Sequence, residues 1–344
     1  MAIDTDALQF WLIFTFPCPG RYEKIFPISA RQSPFNSREK RTLSTSSDRI
    51  VVLSLGRESR VLSVAPDGSD VKVLIGGLES KPDGVTVDEA NGHLYLSFMG
   101  AIRDGDDFWA TDGHIERTNL DGSDRRVIVP VGTFYTGKQI TFDAASGRLY
   151  WCDREGLGVL SCRTDGSDLT VHVRTGTTAE HRKEPRRHCV GVTVDRDGGY
   201  LYWTQKGKPK GGEGMILRAP LDVVPADPAV RDDIEMLFDG LPEPIDLEWD
   251  GESGTLYWTD RGAEPDGNTL NRAKIRDGRA VDHEILLHGL DEGIGLTYDR
   301  DRRRVFVSDL GGNLRVVSLD RPGVGEIVFQ GQGKLTGIAY LHGD

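Results

Sequence analysis

The chain has little cysteine: 4 residues in 344, at positions 18, 152, 162 and 189, with no Cys-x-x-Cys pair. So few, so scattered, exclude the disulfide framework of a small secreted domain. Cys152 and Cys162 are spaced to face each other across a hairpin, as a bridge or as two buried thiols, and the thiols are the reading adopted. Positive charge is also short, with 42 Lys+Arg against 54 Asp+Glu and a net charge of −12. Phosphates repel such a surface, which excludes non-specific binding to nucleic acid or to anionic membrane. Long apolar runs are missing. Leu8 to Phe16 (LQFWLIFTF) is too short to span a bilayer, and Asp4 and Asp6 precede it where a signal peptide carries positive charge. The expectation is a cytoplasmic protein with an appended apolar segment, secretion being the alternative. There is no GxSxG, Walker A or HExxH motif, so no cofactor and no metal is expected. Proline is modest, 16 residues, beside 42 glycines, which leaves many turns in an otherwise ordinary globular composition. Residues 31–48 read as a polar linker, so that 1–47 is an extension and 48–344 the folded domain.

What is present is a repeat. Leu94-Tyr95-Leu96-Ser97, Leu149-Tyr150-Trp151-Cys152-Asp153, Leu201-Tyr202-Trp203-Thr204-Gln205, Leu256-Tyr257-Trp258-Thr259-Asp260 and Val305-Phe306-Val307-Ser308-Asp309 are one motif, with aromatic residues 55, 52, 55 and 49 positions apart. A second motif precedes each, as in Gly84-Val85-Thr86-Val87-Asp88 and Gly191-Val192-Thr193-Val194-Asp195. The aspartates ending these segments (Asp88, Asp143, Asp195, Asp250, Asp299) recur too regularly to be anything but structural. Alternating β-branched and aromatic residues between Gly/Asp turns spell four short antiparallel strands per unit. Ile50 to Ile75 holds three strands of a sixth unit, and Thr336-Gly337-Ile338-Ala339-Tyr340 is its missing first strand. Joining the two ends closes a ring and removes the exposed sheet edges. The fold class is all-β: a six-bladed β-propeller of four-stranded antiparallel blades, closed by the C-terminal strand joining the first blade.

Tyr257-Trp258-Thr259-Asp260 is a full YWTD, and the repeat region resembles the propeller of the low-density-lipoprotein receptors. In those receptors the propeller sits beside cysteine-rich modules, which are absent here. Among stand-alone propellers of this type the chain is similar to the fungal hetero-Diels–Alderases of tropolonic sesquiterpenoid biosynthesis. That resemblance implies dehydration of a hydroxymethyl tropolone to a quinone methide, then cycloaddition to a humulene-type alkene, with an oxygen-rich tropolone-like and an apolar terpene partner. Metal-dependent lactonase propellers of the gluconolactonase type carry Asn and acidic ligands on their inner strands; the inner strands here carry no Asn.

Propeller geometry puts the long irregular loops, 98–113, 176–190, 205–214 and 261–268, on one face, and long irregular loops are where binding lives. The site is expected there, at the channel mouth. Lys81, Lys138, Arg154, Lys206 and Lys334 fall at that rim, and the stretch 181–188 (HRKEPRRH) adds Arg187 and His188. Lys138, His188 and Lys334 align at the start of the innermost strand, and a cationic mouth suits an anionic or enolate-like ligand. In the column Gly84, Gln139, Gly191, Asp246, Gly295, Gly337, Gln139 and Asp246 break a glycine rule; two positions on, Glu248 breaks a threonine rule. Strand period puts Asp246 and Glu248 on one side of one blade, as acid and base, as metal ligands, or as ion-pair partners. Phe98, Phe108, Trp109, Phe134 and Tyr135 are expected to wall an apolar pocket. The expected catalytic set is therefore Lys138, His188, Lys334, Asp246 and Glu248. Lys81, Gln139, Arg187 and the five aromatics are expected to bind substrate. The alternative function is a non-catalytic propeller taking a peptide or protein on the same face.

Overall fold

The strand pattern is realised along the whole repeat. The computed structural model describes residues 47–343 except 57, 103–107 and 332, so Leu8–Phe16, Cys18 and almost all of the polar linker lie outside the described residues. Six four-stranded antiparallel sheets follow one another. Blade one takes its innermost strand from Lys334–Leu341 and its other three from Arg49–Leu55, Ser59–Val64 and Lys72–Leu78. Blades two to six begin at the innermost strands Ser80–Asp88, Gly137–Asp143, Cys189–Asp195, Pro244–Asp250 and Gly293–Asp299. Ring closure pairs Ile50 with Tyr340 and Val52 with Ile338, and the Tyr340 hydroxyl donates to Asp48 at 2.8 Å.

Apolar side chains pack between adjacent blades. Trp151, Trp203 and Trp258 are each 0% exposed, and Trp151 packs at 5.5 Å from Phe134 of the preceding blade. The residue after each of these motif positions explains the Thr of YWTD. Thr204 Oγ1 accepts from its own blade's Gly191 N–H and donates to Ile245 O of the next blade at 2.7 Å. Thr259 repeats this with Asp246 N–H and Ile294 O, as Ser97 does with Gly84 N–H and Lys138 O, and Ser308 with Gly295 N–H and Thr336 O. Cys152 substitutes a thiol, 3.3 Å from Gly191 O. In blades two to six, one small side chain thus clips each inner strand to the next. Cys152, Cys162 and Cys189 are free and buried, so the hairpin pair is two thiols.

The glycine column is the tightest level of the ring. A Cβ on Gly191 would lie 2.0 Å from Ile245 O, on Gly337 2.5 Å from Asp83 O, and on Gly295 2.6 Å from Thr336 O. At this same level the ladder between each innermost strand and its neighbour shifts register, in all six blades. Such irregularities break the two-residue period and re-aim side chains.

Candidate functional site

The shift divides the channel into two separate mouths. At its start, one residue from each blade forms a ring: Asp83, Lys138, Val190, Ile245, Ile294 and Thr336. Val190, Ile245 and Ile294 pack together as a small apolar cluster with Leu310, while Lys138 Nζ donates to Asp83 Oδ1 at 2.7 Å. This ring floors an upper cavity of about 760 Å³ lined by Lys81, Lys138, Arg154, Lys206, Arg261 and Lys334, by Asp83, Glu155 and Glu292, and by His188, Met99 and Phe108. Residues that follow this ring line a lower cavity of about 460 Å³ on its opposite side.

The upper cavity holds the expected Lys81, Lys138, His188, Lys334 and Phe108 together. Phe108 carries Lys81 Nζ at 5.1 Å and the Arg154 guanidinium at 4.6 Å over its ring, so the aromatic is fixed by cation–π contacts. Burial pushes the Lys138 ammonium down to about 8, against the pull of Asp83. Burial also lowers His188 below its ordinary value, which disfavours a charged imidazolium at the mouth. Lys206 donates to Glu243 Oε1 at 3.1 Å, and Arg261 reaches the same oxygen at 2.8 Å. Burial alone would raise the Glu243 carboxyl, but Arg261 and Lys206 together hold it below its ordinary value. Lys334 is exposed at the rim.

Other expected residues lie elsewhere. Asp246, Glu248 and Gln139 line the lower cavity: Gln139 and Asp246 lie within the irregular stretches 137–140 and 244–247, one position on from Lys138 and Ile245, and Glu248 follows its stretch. Asp246 replaces a ring glycine by accepting from Leu247 N–H at 2.9 Å and from Leu296 N–H of blade six at 3.0 Å. It is a structural link, with its carboxyl pushed well above the ordinary range by burial. Glu248 is partly exposed and is raised to about 7 by burial, with Arg300 opposing. Gln139 Nε2 donates to Asp83 O at 3.2 Å. Phe98 and Phe134 are core residues at 0% and 2% exposure, Phe98 stacked on His114 at 4.5 Å. Tyr135 is half-buried under the Arg182 guanidinium at 4.2 Å, and Trp109 is half exposed, neither in the cavity lining. Arg187 turns back onto its own loop, to Glu184 at 2.5 Å and the Thr175 carbonyl.

Sequence reasoning missed Asp83, Glu155, Met99 and the Glu243–Arg261 pair. The signal for Asp83 lay one position before the glycine column, where it aligns with Lys138. Among the described residues no three His, Cys, Asp or Glu side chains gather as metal ligands do, and no helix is long and apolar enough to cross a membrane.

No family model matches the chain. It is 45% identical over 296 residues to a Pyricularia oryzae protein named low-density lipoprotein receptor-related protein 1, spanning 83% of this chain and 93% of the relative. It is 37% identical over 295 residues to a 3-hydroxyacyl-CoA dehydrogenase-like protein of Cochliobolus heterostrophus, spanning 82% of this chain but 61% of that relative. Among solved structures it superposes on a chain of the nidogen/laminin complex with TM-score 0.64 and 17% identity, covering 85% of this chain and 98% of that one. A gluconolactonase of Xanthomonas campestris superposes with TM-score 0.54 and 19% identity, covering 83% of each, and both likenesses are of fold alone. With its YWTD blades and 45% identity across nearly the whole of the Pyricularia oryzae relative, the chain belongs to the low-density-lipoprotein-receptor-related family of six-bladed propellers.

Proposed function

We propose that the chain is a cofactor-independent enzyme acting on a small oxygen-rich molecule in the upper cavity, in the manner of a hetero-Diels–Alderase. In that reading a hydroxymethyl tropolone is dehydrated to a quinone methide, which then adds to a humulene-type alkene. The observation that carries it is the composition of the cavity. About 760 Å³ is the size of a small-molecule site, and its lining combines six cationic and three acidic side chains with the apolar Met99, Phe108, Ile294 and Leu310. Cations held in a partly dry site stabilise negative charge as it develops on the tropolone oxygens. The apolar side chains hold the terpene in reach of the diene.

The test is incubation of the purified chain with a hydroxymethyl tropolone and humulene-type alkenes, read by mass spectrometry. The expected result is one stereochemically defined adduct formed faster than without protein. At least one of Lys138→Ala, His188→Ala or Lys334→Ala is expected to lower turnover at least tenfold with an unchanged melting temperature. Loss of an oxyanion-type donor typically costs roughly a hundred- to a thousandfold. Asp246→Asn, in the lower cavity, is expected to alter stability instead. Absence of any adduct overturns the reading and favours the other one, a peptide or protein partner on the same face. The half-exposed Trp109 and Ile102 beside the upper rim are what such a partner would cover.

A further inference from the structure

The lower cavity is chemically the reverse of the upper one. All six innermost strands contribute to it, and its lining holds four carboxyls, Asp88, Glu89, Asp246 and Glu248, with no Lys or Arg among the described residues. Two of the four are spent at the rim. Asp88 accepts from the backbone N–H and side-chain amide of Asn91 at 3.1 and 2.8 Å. Glu89 accepts from the backbone N–H of His342 at 2.7 Å, and His342 Nδ1 lies 2.8 Å from the same oxygen.

The wall keeps its acceptors open. Glu248 makes no hydrogen bond or ion pair with a described residue. Asp246 is 6% exposed, and each of its oxygens accepts one backbone N–H, from Leu247 and from Leu296, so each keeps a lone pair. Gln139 is 3% exposed and donates through Nε2 to the Asp83 carbonyl, while its Oε1 accepts from no described residue. Gln139 and Asp246 stand where the other four blades carry glycine, at the level where a Cβ has least room. Buried acceptors left unpaired are costly, and a donor from outside the chain relieves that cost.

The charges acting on Glu248 are Arg300, which favours the carboxylate, and Asp250, which opposes it. Arg300 is itself engaged, 3.7 Å from Asp250 and donating to the Trp249 carbonyl. Asp246 is raised by burial first and by the charge of Glu248 as well, so the two carboxyls lie within electrostatic reach of each other. The rest of the lining is largely apolar, with Val87, Ile140, Phe142, Leu296 and Ile338. About 460 Å³ admits a small organic molecule. No three His, Cys, Asp or Glu side chains among the described residues gather as metal ligands do, so the cation that fits carries N–H donors and hydrocarbon.

We infer that the lower cavity binds an alkylammonium ion, its N–H groups donating to the Glu248 and Asp246 carboxyls and its hydrocarbon lying on the apolar lining. A cation beside Glu248 favours the carboxylate and draws it down from its raised value of about 7. A proton therefore leaves Glu248 when the amine enters below that pH, and none needs to leave above it.

Pentylammonium chloride is the probe, titrated into the full chain by calorimetry at pH 6 and pH 8, the amine being charged at both. Saturable binding is expected, about tenfold tighter at pH 8, with proton release at pH 6 only. Pentanol, the uncharged counterpart, is expected to bind at least tenfold more weakly. Glu248→Gln keeps the shape of the side chain and is expected to bind pentylammonium at least tenfold more weakly at pH 8, with the pH dependence gone. Should that variant fail to fold, methyl NMR of the wild type decides. The methyls of Ile140, Leu296 and Ile338 are expected to shift on adding pentylammonium, and those of Ile294 and Leu310 in the upper cavity to stay. No binding at either pH, pentanol binding as tightly as the amine, undiminished binding by Glu248→Gln, or shifts at Ile294 and Leu310 instead overturns the site. Calcium chloride that displaces the amine at equal concentration overturns the alkylammonium assignment in favour of a metal ion.

Discussion

At the scale of single residues, the motif tryptophans and the raised carboxyls make opposite statements about burial. Trp258 is wholly enclosed and stacks at 5.0 Å on His283, and its indole N–H has no partner among the described residues. Its value is packing. Trp258→Ala is expected to cost about 3–5 kcal/mol of stability in urea denaturation. Glu248 is a cost instead. Its pKa is raised to about 7 from the ordinary value of 4.5, so the folded chain binds a proton there more tightly than the unfolded one does. The stability it contributes is fully present below pH 4.5 and is lost as pH rises through about 7. Glu248→Gln is expected to lack that loss, so its stability relative to wild type should rise between pH 4.5 and 8. Parallel denaturation curves at both pH values check it, and a flat difference would count against the buried acid.

At the scale of the strand, the glycine column sets how closely six inner strands approach. Gly191→Ala places a methyl 2.0 Å from Ile245 O, a backbone atom that has no rotamer to retreat into. Overpacking of this kind costs about 1–3 kcal/mol and more where backbone must shift, so a clear drop in melting temperature is expected. Thr259→Val keeps the shape and removes two hydrogen bonds, the one from Asp246 N–H within blade five and the one to Ile294 O that clips blade five to blade six. It leaves Ile294 O without this partner, and about 1–3 kcal/mol is the expected loss on denaturation. The strand is also where sequence reading went astray. Asp246 and Glu248 are expected beside Lys138 because all three belong to innermost strands and are read as facing one channel mouth. Lys138 aligns one position earlier, with Ile245, and the irregular ladder about the glycine column, 137–140 and 244–247, parts the two mouths. Nothing in the local pattern of Ile245-Asp246-Leu247 announces it, because the shift follows from the crowding of six strands about one axis.

At the scale of the molecule, closure is the decisive contact. The strand Lys334–Leu341 contributes the innermost strand of blade one, pairs along Arg49–Leu55, and carries Tyr340 to Asp48. Removing residues 334–344 leaves the inner edge of Arg49–Leu55 unpaired and takes away the strand that packs between the inner strands of blades six and two, and cooperative thermal unfolding is expected to be lost. Calorimetry that found a truncated chain melting like the intact one would contradict the ring. Blade number, strand order, the closing strand and the buried tryptophans were determined by sequence, because each is a repeat whose side-chain period is local and recurs every 49 to 55 residues. The gathering of Lys81, Lys138, His188 and Lys334 was legible too, since equivalent positions of a ring face one axis. Only the tertiary structure decided that Phe98 and Phe134 turn inward to the blade core, that burial disfavours charge on His188, and that Asp83 and Glu155 complete the charges around Lys138. Those outcomes depend on desolvation and on contacts between blades, and neither exists until the ring has closed.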